Sequence, residues 1–481
     1  MAKHTEIDMC NGPIMSKLIR FSIPLMLSGM LQLLFNAADV VVVGQFCGST
    51  SLAAVGSNGA VINLLVNVFI GISVGTNVLV ARYMGRQQHD GIYRAVHTSV
   101  LFSIFVGIFI GIVGAILAPQ LLTMISVPDD VLPLASLYLR IYFMGIPATV
   151  VYNFGAAVLR ASGDTKNPLY FLTVAGITNV ICNVFFVVGC HWDVAGVAAA
   201  SALSQYISAF LVLRCLTHKE TSCRLSLRKL RIYKRELLEM IRIGIPAGLQ
   251  STIFSVSNVL IQSSINSFGS IVIAGNSAAS NIDGFLGIAT NAIHQAGVSF
   301  VSQNLGANKP DRIRRVAGSC YFLVVVTDVV LSSVVYLFGR PLLGIFSPDS
   351  AVVDAGMVRL FWVGLMHVFC GTMDVACGLV RGLGKSWLPM IISLLGACAL
   401  RIVWIYTVFI HVRTLDSLYM AYPITWGITL VAHTVCVITL IRKLETSSKP
   451  PKAVRQLPEF QLNSPAESNK PTEERNNDTC I

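Results

Sequence analysis

The sequence predicts an all-α polytopic membrane protein, with twelve transmembrane helices in two six-helix bundles related by a pseudo-twofold axis along the membrane normal. Three observations carry that expectation. Hydrophobic residues make up 54% of the chain and charged residues only 12%, about half the charged share of an average soluble domain. Apolar runs of eighteen or more residues recur along most of its length, each able to cross roughly 30 Å of hydrocarbon. The chain also repeats itself at an offset of about 220 residues. Leu18-Ile19-Arg20-Phe21-Ser22-Ile23-Pro24 returns as Met240-Ile241-Arg242-Ile243-Gly244-Ile245-Pro246. Val127-Pro128-Asp129 returns as Ser347-Pro348-Asp349, and Leu159-Arg160 with Gly163 and Pro168 as Val380-Arg381 with Gly384 and Pro389. Each copy holds six spans, an even number, so both enter the membrane from the same side and form parallel repeats.

Taken in order, a short N-terminal segment (1–16) leads into a first bundle (17–216). Its spans are expected near 17–44, 52–80, 95–118, 131–158, 168–189 and 194–213. A basic linker (217–239) follows. The second bundle (240–444) has spans near 242–267, 271–301, 316–338, 352–379, 388–410 and 417–441. Beyond Leu444 the composition turns to Ser, Pro, Asn, Glu and Lys, and the tail (445–481) has too little apolar surface to fold on itself. The first apolar run is too long for a cleavable signal peptide and no small-residue cleavage site follows it.

The net charge of +11 is topological. Counted on alternate sides of the spans, thirty Lys and Arg lie on one side and only Arg340 and Arg413 on the other. By the positive-inside rule both termini are expected in the cytoplasm. This distribution argues against nucleic acid as a partner; the linker reads as a topology anchor beside anionic lipid. The twelve cysteines form no CxxC pair, so neither a zinc site nor a redox motif is indicated. There is no GxxxxGK[ST] loop for nucleotide, and no cofactor is expected.

One residue stands out within the first span. Asp39 is an acid in an otherwise apolar stretch, and such a residue at the bilayer centre costs about 2.5 to 3.5 kcal/mol on insertion scales. Ion or proton paths are the usual reason such residues persist. Pro24, near the start of the same span, removes a backbone hydrogen bond and permits a kink. It is a candidate hinge, the alternative being a fixed bend, since Pro246 repeats it.

The segments LRASGDTKNP (159–168), VRGLGKSWLP (380–389) and SQNLGANKPDRIRR (302–315) resemble the loop signatures of the MATE (multidrug and toxic compound extrusion) transporters. The resemblance spans roughly residues 15 to 442 and is nearest to bacterial DinF-like and MepA-like members. It implies a twelve-helix antiporter of the bacterial inner membrane that expels cationic, amphipathic compounds in exchange for H+ or Na+. Under it, Asp39 matches the first-helix acid used for cation coupling. Asn179 and Asn183 match a fifth-helix polar pair whose second member is often Asp, and Ser201 matches a sixth-helix hydroxyl. The seventh-helix Glu of the NorM-like branch falls near Phe254 and is absent.

Helix geometry allows these residues to meet. Asp39 lies about 30 Å along its helix from Ile19, Asn179 and Asn183 roughly 15 and 20 Å into theirs, and Ser201 roughly 10 Å from the far end of the sixth. A carboxylate, two amides and a hydroxyl form an oxygen set that suits hard cations and also proton exchange. The competing account makes Asp39 an interfacial acid reaching outward and the other three interhelical glue, worth under about 1 kcal/mol each. Shifted by the repeat offset, Asp39 lands on Leu260 or Ile261, and that asymmetry favours function over packing.

In the second bundle, Asp374 and Arg401 form a candidate polar site. A structural ion pair between them is the preferred account, and a substrate or coupling role the alternative. Arg140 and Arg359 take similar places in the two repeats and read as scaffold. His294, His367 and His433 are given no role. The expected assembly is a monomer in a lipid bilayer that takes small cationic drug-like substrates. The competing functions are a lipid-linked oligosaccharide flippase of the same superfamily and, more remotely, an intramembrane enzyme.

Overall fold

The structure is a computed structural model describing residues 6–125, 127–219 and 222–448, and no strand occurs among the described residues. The first half contains α1 (Ile14–Phe46), α2 (Ser49–Gly85), α3 (His89–Met124), α4 (Leu132–Ala161), α5 (Lys166–Val184) and α6 (Asp193–His218). The second contains α7 (Lys234–Asn266), α8 (Ser270–Gly306), α9 (Pro310–Leu337), a short α10 (Gly339–Gly344), α11 (Ser350–Arg359), α12 (His367–Gly382), α13 (Trp387–Ser393), α14 (Leu400–Trp404) and α15 (Leu415–Ser448). Wide π-turns at Phe185–Gly189, Leu360–Leu365, Leu394–Ala399 and Ile405–Phe409 extend α5, join α11 to α12, join α13 to α14, and extend α14.

Among the described residues, eleven spans are long and apolar enough to cross a bilayer, with α11–α12 and α13–α14 each acting as one. The twelfth crossing is α8, whose Asn276, Ser280 and Asp283 share one face at i, i+4 and i+7. The helices overrun most of the apolar windows by several residues, because helical hydrogen bonding continues into the polar interface where hydropathy has already fallen. The tail expected at 445–481 begins as helix through Ser448, and 449–481 lie outside the described residues.

The repeat is visible in the backbone. Six left-handed residues form three matched pairs: Gly48 and Gly269 open α2 and α8, Gln87 and Asn308 follow α2 and α8, and Gly163 and Gly384 follow α4 and α12. At Gly163 (φ 86°) the amide bonds back to Arg160 O at 3.0 Å and that of Asp164 to Leu159 O at 2.9 Å. Gly384 and Lys385 make the corresponding bonds to Arg381 and Val380. This is a Schellman closure, and glycine fits it because a Cβ is unfavourable at positive φ.

Within the first lobe, Ser103, Gly107, Gly111 and Gly114 form a small-residue stripe on α3. Methyl groups on the glycines would run into Phe143 and Pro147 of α4. Close backbone approach of this kind drives helix association in lipid. The opposite face of α3 exposes Ile108, Phe109, Ile112 and Ile116.

The lobes meet near the face that carries the basic loops. There α2 is buried throughout from Ser73 to Ala81 and α8 from Ala296 to Asn304. A Cβ on Gly75 would collide with the Met240 carbonyl, on Gly85 with Gln303 and on Gly306 with Arg82. Asn77 accepts a hydrogen bond from Ser299 at 3.1 Å and Gln303 donates to Ala161 O at 2.8 Å. Toward the opposite face, Gly56, Gly59, Gly284 and Gly287 have open space beside them, while α1 and α8 still touch where the Ile288 side chain packs on Gly29.

The N-terminal segment lies across the closed side. Glu6 pairs with Lys219 at 2.7 Å, and Ile7 N donates to Gly163 O at 3.2 Å. Met9 O, on a fully buried residue, accepts from Asn304 Nδ2 at 3.0 Å and Arg312 Nε at 3.2 Å. Residues 6–13 thus bridge both lobes, a contact no hydropathy pattern signals.

Candidate functional site

The close seating of α1 on α5 builds the first-lobe site. Gly176 leaves room that the Phe35 ring fills, and a methyl there would overlap it. One turn beyond Phe35 on α1 comes Asp39, and two turns beyond Gly176 on α5 comes Asn183. Asn183 Nδ2 donates to Asp39 Oδ1. Ser201 Oγ, from α6, donates to Asp39 Oδ2 at 3.2 Å. Asn179 completes the ring: its Oδ1 accepts from Asn183 at 3.3 Å, and its Nδ2 donates to Ser201 at 3.4 Å. All four residues expected to converge do meet.

Two features set the chemistry of this cluster. The donors to Asp39 are neutral, and among the described residues it has no ion pair with Lys, Arg or His. The buried Asn183 Oδ1 has no hydrogen-bond partner. A half-buried carboxylate without a counter-charge, beside an unused amide oxygen, can take a proton or a small cation and share it with that oxygen. Asn183 is also the penultimate residue of α5 before the π-turn Phe185–Gly189. Such turns in helices often mark functional positions. Pro24, the hinge candidate on the same helix as Asp39, is buried, and its carbonyl accepts from Ser28 Oγ at 2.8 Å.

The second lobe departs from expectation. Asp374 and Arg401 are not an ion pair. Both line a cavity of about 340 Å³, but Arg401 Nη1 donates to Asn258 Oδ1 at 3.3 Å and its guanidinium lies 4.3 Å over the Tyr422 ring. Charge spacing along two helices could not show which way each side chain turns. The expected equivalence of Arg140 and Arg359 also fails in detail, since Arg140 is exposed and Arg359 buried. Arg359 donates to Asp283 at 3.0 Å and to Asn276 at 2.7 Å, and Asn276 also accepts from Tyr419 at 3.0 Å.

Asn276, which also donates to Gln262 at 3.0 Å, and Tyr419 carry no charge and so give no signal in the sequence; the polar i, i+4, i+7 face of α8 is the available one. Arg381, counted among the basic loop charges, points inward and donates to Gln250 at 2.8 Å. His294 bonds the Asp374 carbonyl at 2.7 Å, His367 faces Asp328 at 3.5 Å and His433 bonds Ser393 at 3.0 Å.

Two repeated six-helix lobes, joined tightly at the basic face, with charged groups lodged inside both, define a multi-pass membrane transporter. The MatE family model matches residues 24–185 and 246–407, each match opening on a proline of the repeated pair, and the chain belongs to that family of MATE transporters. It is 28% identical over 394 residues to the probable multidrug resistance protein YpnP of Bacillus subtilis (strain 168), covering 82% of this chain and 88% of that protein. It is 20% identical over 421 residues to the multidrug export protein MepA of Staphylococcus saprophyticus, covering 88% and 91%. Its fold matches a solved outward-facing conformation of a multidrug resistance MATE family transporter of the MOP superfamily, with TM-score 0.86 and 20% identity over 93% of this chain and 100% of that one.

Proposed function

We propose that this chain is an ion-coupled antiporter that exports cationic, amphipathic small molecules in exchange for H+ or Na+ by alternating access. Asp39 is the exchange site, supported by Asn179, Asn183 and Ser201. The observation that carries this reading is the Asp39 carboxylate, held by neutral donors alone and present in one lobe but not its twin. In the outward-open state, uptake of a proton or sodium ion neutralises Asp39 and removes the attraction holding a cationic substrate. Closure and reopening on the other side then release the ion and admit cargo. The gradient drives the cycle at about 2.3 kcal/mol per charge per 100 mV.

The basic-loop count supports a bacterial inner-membrane orientation with both termini in the cytoplasm, which makes the closed face the inner one. The protein works as a monomer without cofactor, and Pro24 is the hinge through which the state of Asp39 reaches the rest of α1. The flippase reading draws only on the second-lobe arginines, of which Arg359 is already satisfied by Asp283 and Asn276.

Purified protein in proteoliposomes, loaded with a fluorescent organic cation, tests the proposal. Imposing a pH gradient or a sodium gradient separately should accelerate cation efflux at least tenfold in one of the two cases. Equal, gradient-independent leakage in both, or lipid scrambling without cation efflux, would contradict it.

A further inference from the structure

A second cleft takes no part in the exchange scheme. It lies on the face that carries the basic loops, between the start of α1 and one side of α9, and has a volume of about 640 Å³. Residues 12–15 form one wall and α9 the other. On α9, Arg315, Ser319 and Phe322 share a face at i, i+4 and i+7, with Phe322 about 10 Å farther along the helix than Arg315. Gly318 beside them has open space where a Cβ would stand, which hollows that face.

The charge lining the cleft has one sign: Arg312 and Arg315 border it, and no Asp or Glu does. Arg312 donates to the carbonyls of Met9 at 3.2 Å, Gly12 at 3.0 Å and Asn11 at 2.8 Å. These bonds fix the guanidinium without cancelling its charge and leave further N–H groups free. Asp8, on the same N-terminal segment, is turned back on Cys10 N at 2.9 Å and Asn11 Nδ2 at 3.0 Å. Arg315 is exposed and, among the described residues, has neither a hydrogen bond nor an ion pair. Away from the arginines the cleft gives onto apolar surface. Phe322 is exposed, and so are Ile19 and Ile23, one and two turns beyond Met15 on α1. A soluble anion would meet the arginines and leave that apolar surface bare, whereas an anionic phospholipid matches both.

We propose that this cleft is a lipid site, in which the phosphodiester of an anionic phospholipid sits between Arg312 and Arg315 and an acyl chain runs past Phe322 along α1. One wall belongs to the first lobe and the other to the second, so the bound lipid spans their junction at the basic face. The site is separate from the exchange centre at Asp39 and does not depend on which ion or cargo that centre handles.

The test uses the full-length protein with Phe322→Trp as a reporter, in phosphatidylcholine nanodiscs. Part of the lipid is replaced by phosphatidylglycerol or phosphatidylcholine with brominated acyl chains. Bromine quenches tryptophan only at close range, so subtracting the signal of the parent protein isolates position 322. Brominated phosphatidylglycerol should reach half-maximal quenching at a mole fraction about fivefold lower than brominated phosphatidylcholine. Arg315→Gln in the reporter protein should bring the two lipids within twofold of each other; its exposed position makes loss of folding no obstacle. Phe109→Trp, on the exposed face of α3, should show no preference between them. Equal quenching by both lipids at 322, the same preference at 109 as at 322, or a preference that survives Arg315→Gln would each overturn the proposal.

Discussion

Asn183 sets a neutral amide against the Asp39 carboxylate. Its Nδ2 serves Asp39 and Asn179 together, while its Oδ1 stays free beside them. A hydrogen bond to a charged group is worth about 1.5 to 3 kcal/mol. Asn183→Ala removes the free Oδ1 beside the carboxylate and should therefore weaken sodium affinity by roughly 10- to 100-fold, read as the sodium concentration for half-maximal exchange. Were Asn183 only interhelical glue, the same variant would lower the melting temperature and leave the ion dependence where it was. Asp39 itself was legible in the sequence because one acid in an apolar span is conspicuous. Asn276 and Tyr419 were not, because neutral polar residues in a helix announce nothing until a neighbour is placed against them.

Helix α1 connects Pro24 to Asp39 along about four turns, packed on α5 through Phe35 and Gly176 and hydrogen-bonded to α6 through Ser201. If bending at Pro24 transmits the protonation or ion-binding event, Pro24→Ala should slow coupled exchange about tenfold, since interior proline costs a helix roughly 3 kcal/mol and its removal favours the straight form. Ion binding at Asp39 should stay within twofold of wild type. Undiminished exchange would reduce Pro24 to a fixed bend. The π-turns belong to this scale as well. They follow Asn183 and Arg359 and flank Arg401, and hydropathy windows pass straight over them because a π-turn changes backbone register without changing composition. The spans were therefore legible and their interruptions were not.

Across the whole molecule the backbone is nearly twofold symmetric while the chemistry is not. Matched left-handed turns at Gln87 and Asn308 or Gly163 and Gly384 show that both lobes fold by one plan, which the repeated loop motifs had already announced. What fills the lobes differs: an uncompensated carboxylate in one, a network of arginines and acids with an unsatisfied guanidinium in the other. Between them, glycines at 75, 85 and 306 bring backbones together at the basic face, and residues 6–13 lie across that junction. Those contacts link residues far apart in the chain, so periodicity could not reveal them. An antiporter needs such a closed face to open in alternation with the other, and the central claim is that occupancy of Asp39 governs the exchange. The direct measurement is substrate-driven ion movement in proteoliposomes under separate pH and sodium gradients, comparing wild type with Asp39→Asn. Gradient-driven exchange should disappear in the variant while it still binds substrate and remains monodisperse; an Asp39→Asn protein that exchanges at the wild-type rate under both gradients would contradict the account.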